Sequence, residues 1–264
     1  MTEKILSYLP GDHPWQNRIH WFDTIDSTNT RAKEMALAGA PHGTVLIADH
    51  QTGGRGRMGR GFQSPAGCGV YLSVILRPGC APDRLMHLTC AAAVAACDAV
   101  EETAGIRPGI KWTNDLVCGS RKIAGILTEL ITVGSETCAI VGIGINCCQS
   151  SADFSEDIRS FAGSLAMATG REIDRWAVAA ALIRALCRMD GILLAEKAAI
   201  MALYRAGCVT VGRDVSLLRA DTVRHGHALR IDDDGALVVR FADGTVEAVQ
   251  SGEISVRGMY GYIS

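Results

Sequence analysis

Residues 109–146 read GIKWTNDLVCGSRKIAGILTELITVGSETCAIVGIGIN. Runs 109–112, 122–131 and 137–145 within this stretch are of β type, rich in Ile and Val and bounded by Gly or Asn. No helical repeat separates one run from the next. A doubly wound sheet needs a helix between consecutive strands, whereas strands that follow one another directly pair as neighbours. The stretch therefore predicts an α+β fold, a mixed β-sheet with packed helices.

Runs 44–48 and 70–76 have the same β character. Three helices are expected around them. Ser27, Thr28 and Asn29 are cap-type residues before 31–38, and Gly39 and Pro41 stop that pattern. Segment 83–103 takes Asp83 as its candidate cap, places Leu85, Leu88, Ala92 and Val94 on one face, and exits at Gly105. The third, 174–206, is expected to break at Gly191.

From Cys208 the texture changes to short strands at 214–218, 228–231, 236–241, 245–249 and 253–257. Asp234-Gly235 and Asp243-Gly244 are hairpin signals, because such turns need a positive φ. The expectation is a catalytic-sized domain, 1–207, followed by a small β-barrel, 208–264, with the boundary near Gly207. No low-complexity linker separates them, so the two parts should pack together.

Of the 264 residues, 48% are hydrophobic and 20% charged, which excludes disordered and fibrous classes. Twenty-six basic residues against 28 acidic ones leave a net charge of −2, unlike a general nucleic-acid binder. Ten cysteines form no C-x-x-C pair and read as buried free thiols of a reducing compartment. Residues 1–10 mix Glu3 and Lys4 with an apolar stretch too short for a signal peptide. The longest apolar run, around 90–97, ends at Asp98, short of the ~18–20 residues that a membrane span requires. A cytoplasmic address is expected.

Charge is unevenly spread. Residues 50–82 contain no acid but hold Arg55, Arg57, Arg60 and Arg77. Inside that window, residues 51–62 interleave five glycines with three arginines. Glycine lets backbone N–H groups approach an anion, and arginine adds charge and forked donors. The loop lacks the Lys-Ser/Thr of a Walker A motif. Taken alone, it also reads as a flexible solvated loop or an RNA-contacting segment. Ordering it costs roughly 1–2 kcal/mol per residue, so it is expected to be mobile when empty and to close over a ligand.

Lys111-Trp112-Thr113-Asn114-Asp115 and Arg121-Lys122-Ile123-Ala124-Gly125-Ile126-Leu127 can bring two ammonium groups to one end of a sheet, or leave two lysines on a hairpin surface. Gly142-Ile143-Gly144-Ile145-Asn146 starts like a dinucleotide fingerprint, but Cys147 stands at the last glycine position and no helix follows. It is a weak sign of close backbone approach. Asp26-Ser27-Thr28-Asn29 is most simply a helix cap.

In order and spacing these motifs, with Gly252-Glu253-Ile254-Ser255 in the terminal module, resemble the biotin protein ligase family over about residues 20–264. The resemblance implies a mixed-sheet catalytic core with an SH3-like barrel. It also implies a two-step reaction in which biotin and Mg-ATP give biotinyl-5′-adenylate, which a lysine of a biotin carboxyl carrier domain then attacks. The cofactors and substrates it implies are biotin, ATP and Mg2+.

Residue roles follow from the same resemblance. Lys122 contacts the biotin carboxylate and α-phosphate, Lys111 assists with phosphate charge, and Arg57 retains the adenylate. Asp115 orients or deprotonates the acceptor amine, or merely fixes its turn. Biotin lies against Ser27, Thr28, Asn29, Gln51, Arg55, Gly56, Arg57, Lys122, Gly125 and Leu127. The nucleotide side takes Arg57, Arg60, Phe62, Lys111 and Asn146, with Phe62 where some relatives have Trp.

Two departures are visible. Thr113 stands where the family usually has Pro, which loosens the turn, and Met58 takes a position often filled by Arg. Only residues 1–20 precede the first motif-bearing segment, so neither the winged helix of repressor-type relatives nor DNA binding is expected. No membrane partner is expected, and a homodimer is allowed. The rival readings are a lipoate or octanoate ligase or transferase, and a non-enzymatic biotin- or RNA-binding module.

Overall fold

The computed structural model describes residues 1–219, 222–250 and 255–257. The chain opens with α1 (Thr2–Leu6), β1 (Ile19–Ile25), α2 (Thr28–Leu37), β2 (Thr44–Gln51), β3 (Gly69–Leu76) and α3 (Leu88–Ala104). Then come β4 (Gly109–Lys111), β5 (Asp115–Cys118), β6 (Arg121–Val133) and β7 (Glu136–Asn146). Helices α4 (Glu156–Arg159), α5 (Leu165–Thr169), α6 (Arg175–Ile192) and α7 (Lys197–Gly207) follow. The last segment carries β8 (Asp214–Arg219), β9 (Thr222–Ile231), β10 (Leu237–Phe241), β11 (Val246–Val249) and β12 (Ser255–Arg257).

Strands β1 to β7 form one mixed sheet in the order β1-β2-β3-β7-β6-β5-β4. Only β1 and β2 run parallel, joined by the α2 crossover, and every other neighbour pair is antiparallel. The α+β expectation holds. Side chains alternate across a strand, and the core divides accordingly. Val45, Ile47, Leu72, Val74, Val141 and Ile143 face α3 and α6, while Leu46, Ile75 and Ile140 face Ala32 and Ala36 of α2.

Helix α3 is buried over most of its circumference because it packs against the sheet and against α6 and α7. Its alanines suit this position, since they favour helix and allow close approach. Gly105 ends it with φ 69°.

Elements α1, β1, β5, α4 and α5 fall where the sequence reading placed none, α2 starts at Thr28 ahead of the expected 31, and further boundaries differ. Asp83 does not cap α3: residues 82–85 form a separate 3-10 turn, and α3 starts after His87. The His87 ring is buried and bonded to the Leu193 carbonyl at 2.9 Å, which fixes both the start of α3 and the end of α6. The break in the third helical stretch accordingly falls at 193–196, and Gly191 lies inside α6. β9 extends back to Thr222 through a run, 222–227, that is polar but for Val223 and shows no apolar alternation.

The C-terminal strands form an antiparallel sheet in the order β11-β10-β9-β8-β12. Gly235 (φ 86°) and Gly244 (φ 84°) make the two hairpin turns as read from the sequence. The fold fits an SH3-like module but is not a closed barrel, because β11 and β12 do not pair with each other among the described residues. Of the Gly-Glu-Ile-Ser motif, 252–254 lie outside the described residues.

The two parts touch closely. Trp112, 4% exposed, donates from its indole Nε1 to Gly235 O at 2.8 Å and from its backbone N to Thr210 Oγ1 at 2.9 Å. Lys197 pairs with Asp234 at 2.5 Å.

Candidate active site

The alternation that divides the core also builds the site. On β7, Ile143 and Ile145 point to the α3 side, which leaves Gly142 and Gly144 on the α2 side. Gly142 pairs with Ser73 and Leu127, and Gly144 pairs with Tyr71 and Gly125. Gly142, Gly144 and Gly125 thus leave bare patches in the floor on that side, and other groups settle onto them. A Cβ on Gly142 would lie 1.9 Å from Asn29 Oδ1, and one on Gly144 would lie 2.5 Å from the Phe62 ring. The glycine repeat is therefore a steric requirement for close approach.

Gly142→Ala is expected to displace the buried Asn29 side chain and to destabilise the protein by about 1–3 kcal/mol, the usual range for overpacking. Urea unfolding measures this, and an unchanged midpoint would count against the reading.

Above this floor lies a cavity of about 550 Å³, a size suited to a small organic ligand. All the residues given a site role by the resemblance line it except Asn146, while Arg77 of the acid-free window lies elsewhere, its guanidinium donating to the Ala36 and Ala40 carbonyls. One wall is polar and comes from the start of α2. Ser27 caps the helix through Thr30 N, and Thr28 N and Oγ1 donate to Gln51 Oε1 at 2.8 and 3.2 Å. Gln51 Nε2 donates to Ser64 Oγ at 2.8 Å. Asn29 Nδ2 donates to Leu127 O and Glu129 Oε2, while Ser73 Oγ donates to Asn29 Oδ1 at 2.6 Å.

The opposite wall is cationic. Lys111 and Lys122 both reach the cavity from the β4–β6 region, so they share one end of the sheet and are not surface lysines. Lys122 Nζ lies 2.7 Å from Asp115 Oδ1 and 5.9 Å from the Phe62 ring centroid. The glycine-rich loop covers this wall. It closes on itself through Gly56 N to Arg60 O and Phe62 N to Gly54 O. It is tied down by Arg57 Nη1 donating to Asn114 Oδ1 at 3.0 Å and by Arg55 pairing with Glu129 at 3.5 Å.

Arg57 lies below its usual pKa, chiefly because of burial and further because of the Arg60 charge, with Asp115 acting the other way. Counting lining side chains, Arg55, Arg57, Arg60, Lys111 and Lys122 oppose Asp115 and Asp157, five cations to two carboxylates. A partly desolvated cluster of this sign is built to receive an anion.

The turn at 112–115 is firmly held despite the threonine in place of proline. Tyr204 OH donates to Thr113 O at 3.0 Å, and Asn114 Nδ2 donates to Ile126 O at 2.9 Å. Asn146 sits apart, in an adjoining recess of about 80 Å³ shared with Lys122 and Phe62. Its Nδ2 donates to Gly163 O, and its Oδ1 accepts from Gln149.

Sequence reasoning missed Tyr71, Ser73 and Glu129, and also Asp157, Ile158 and Phe161, which line the cavity from around α4. The α4 segment is one short turn with no periodicity to announce it. Glu129 could have been found as the one acid within 121–135. Among the described residues no three His, Cys, Asp or Glu side chains group to hold a metal ion, and no helix is long and apolar enough to cross a membrane.

Residues 21–146 match the biotin/lipoate A/B protein ligase family, and 210–257 match the biotin protein ligase C-terminal domain. A bifunctional ligase/repressor of Bacillus subtilis is 36% identical over 89% of this chain and 73% of its own length. A biotin–[acetyl-CoA-carboxylase] ligase of Mycobacterium tuberculosis is 33% identical over 86% of this chain and 85% of its own. Among solved structures, the biotin protein ligase of Aquifex aeolicus in complex with biotin and ATP superposes with a TM-score of 0.79 at 30% identity, covering 91% of this chain and 98% of that one.

Proposed function

Since the chain belongs to the biotin/lipoate A/B protein ligase family as a biotin protein ligase, we propose that it activates biotin with Mg-ATP in the cavity above the β7 glycines and passes the biotinyl group to a lysine of a biotin carboxyl carrier domain. The observation that carries this reading is the meeting of Lys111, Lys122 and Arg57 on one cavity whose other wall is the Ser27–Gln51 polar cluster.

In the first step a biotin carboxylate oxygen attacks the α-phosphorus of ATP, a C–O–P linkage forms, and the bond to pyrophosphate breaks. Two like unit charges ~4 Å apart repel by about 1 kcal/mol in water and about 4 kcal/mol at an effective dielectric of 20. Lys122 and Lys111 offset that repulsion, and they stabilise the charge that grows on the phosphoryl oxygens. Asp115 holds the Lys122 ammonium in place at 2.7 Å before substrate arrives. Magnesium would accompany ATP as the counter-ion of its phosphates and offset part of their charge there.

The polar wall suits the ureido ring, which presents both N–H donors and a carbonyl acceptor. Arg57, anchored to Asn114, lies over the adenylate and slows its escape. In the second step the acceptor amine attacks the anhydride carbonyl carbon, an amide forms, AMP leaves and the amine gives up a proton. A free lysine is mostly protonated at pH 7, so an acceptor near the amine is useful. With one Asp115 oxygen committed to Lys122, its second oxygen serves to orient the amine. Five buried free cysteines suit a reducing compartment, and we assign the cytoplasm on that ground.

The test is incubation of the purified chain with Mg-ATP and, separately, biotin, lipoate and octanoate, with no acceptor present. Mass spectrometry should find biotinyl-adenylate alone. Lipoyl- or octanoyl-adenylate would move the substrate to that branch of the family, and absence of any adenylate would overturn the enzyme reading.

A further inference from the structure

We propose that Glu129 is a positioning residue that latches the glycine-rich loop to the polar wall of the site. Its carboxylate lies just outside the cavity, on β6, two residues beyond Leu127, so the two share a face of the strand. It gathers three partners from two separate segments, α2 and the glycine-rich loop. Lys33 of α2 lies 2.5 Å from Oε1, Asn29 donates to Oε2 at 2.9 Å, and Arg55 of the loop lies 3.5 Å from Oε1.

Burial alone would raise the Glu129 carboxyl pKa, but the Lys33 and Asn29 hydrogen bonds and the Arg55 charge outweigh it and hold it below its ordinary value. The group is therefore ionised and largely shielded, its side chain only 18% exposed, and its pairings are screened less than those of a surface carboxylate.

The three pairings are unequal. Lys33 and Asn29 hold Glu129 at short range, whereas Arg55 is the longest contact and its side chain is 45% exposed. The carboxylate is thus anchored on the α2 side and reaches for the loop on the other, so the Arg55 link is the one that opens when the loop swings away. One carboxylate gripping both Arg55 and Asn29 makes loop closure and wall geometry depend on each other, although Glu129 touches neither substrate.

This deepens the proposed function and rests on the biotin reading of the cavity. The experiment compares the full chain with Glu129→Gln, Arg55→Gln and the double variant, and with Lys33→Gln as a control for the α2 side. Two quantities are read: cleavage within residues 55–60 by limiting proteinase K without ligand, and release of biotinyl-adenylate after a single turnover.

Glu129→Gln is expected to raise both rates roughly fivefold, the order expected for one partly shielded ion pair, and to raise KM for biotin while leaving kcat within about twofold. In the Arg55→Gln background the same change should add less than about twofold, because its partner is already gone. Lys33→Gln should raise loop cleavage by less than about twofold, because Asn29 still anchors the carboxylate and Arg55 keeps its partner. An undiminished Glu129→Gln effect in the Arg55→Gln background would overturn the latch, since Glu129 would then act only by supporting Asn29. If the wild-type chain made no biotinyl-adenylate, the biotin reading would fall, while loop cleavage would still decide the latch.

Discussion

Lys122→Ala is expected to lower biotinyl-adenylate formation by at least 10²- to 10³-fold, the order measured when one preorganised donor to a developing oxyanion is removed. The ammonium lies in the cavity and its side chain is 25% exposed, so its loss leaves the packed core untouched. Circular dichroism and the unfolding midpoint should stay close to wild type. Single-turnover quench with mass-spectrometric counting of the adenylate measures the effect, and a rate within tenfold of wild type would remove Lys122 from the role. Transfer from added biotinyl-adenylate should suffer much less, because the phosphoryl charge has by then been resolved.

Arg57→Gly is expected to do the opposite kind of damage. The variant should still make adenylate but release it roughly 10- to 100-fold faster, the worth of one charge-assisted hydrogen bond lost. The bond in question is the 3.0 Å contact to Asn114, which pins the middle of the loop over the cavity. Freed adenylate is a mixed anhydride that acylates any exposed amine, so bystander proteins should become biotin-labelled in its presence. A streptavidin blot against a protein with no carrier domain reads this directly, and tight retention of the adenylate would contradict the assigned role.

Much of this arrangement was legible in the sequence because it is carried by local pattern. Ser27 caps α2, β6 and β7 pair in sequence order, Gly105 ends α3, and the Gly235 and Gly244 hairpins all follow from short-range rules. What escaped depends on distant partners. Asp83 looks like a cap until the His87 ring finds Leu193, some hundred residues away, and moves the helix start. Gly142 and Gly144 looked like a weak signal because the atoms that demand them, on Asn29 and Phe62, come from other segments. Glu129 was passed over for the same reason, since its three partners are set at the end of β6 only by the folded sheet. The β9 extension escaped for a different cause: its polar residues pair through backbone, and backbone pairing leaves no apolar signature.

The bond from the Trp112 indole to the Gly235 carbonyl carries a consequence for how such proteins can be taken apart and recombined. The aromatic residue belongs to the turn that presents Asp115, and the carbonyl belongs to the tip of a hairpin about 120 residues later. Chain order makes the last strands look like a detachable appendix. Physically they form the back wall behind the 112–115 turn: cutting the chain at 207 would bare Trp112 and Ile110 to water and remove the acceptor of the indole N–H, at about 0.5–1.5 kcal/mol for that bond in addition to the apolar surface exposed. Chimaeras between relatives should therefore exchange the hairpin tip, α7 and the 112–115 turn as one inherited block, however far apart they stand in the chain.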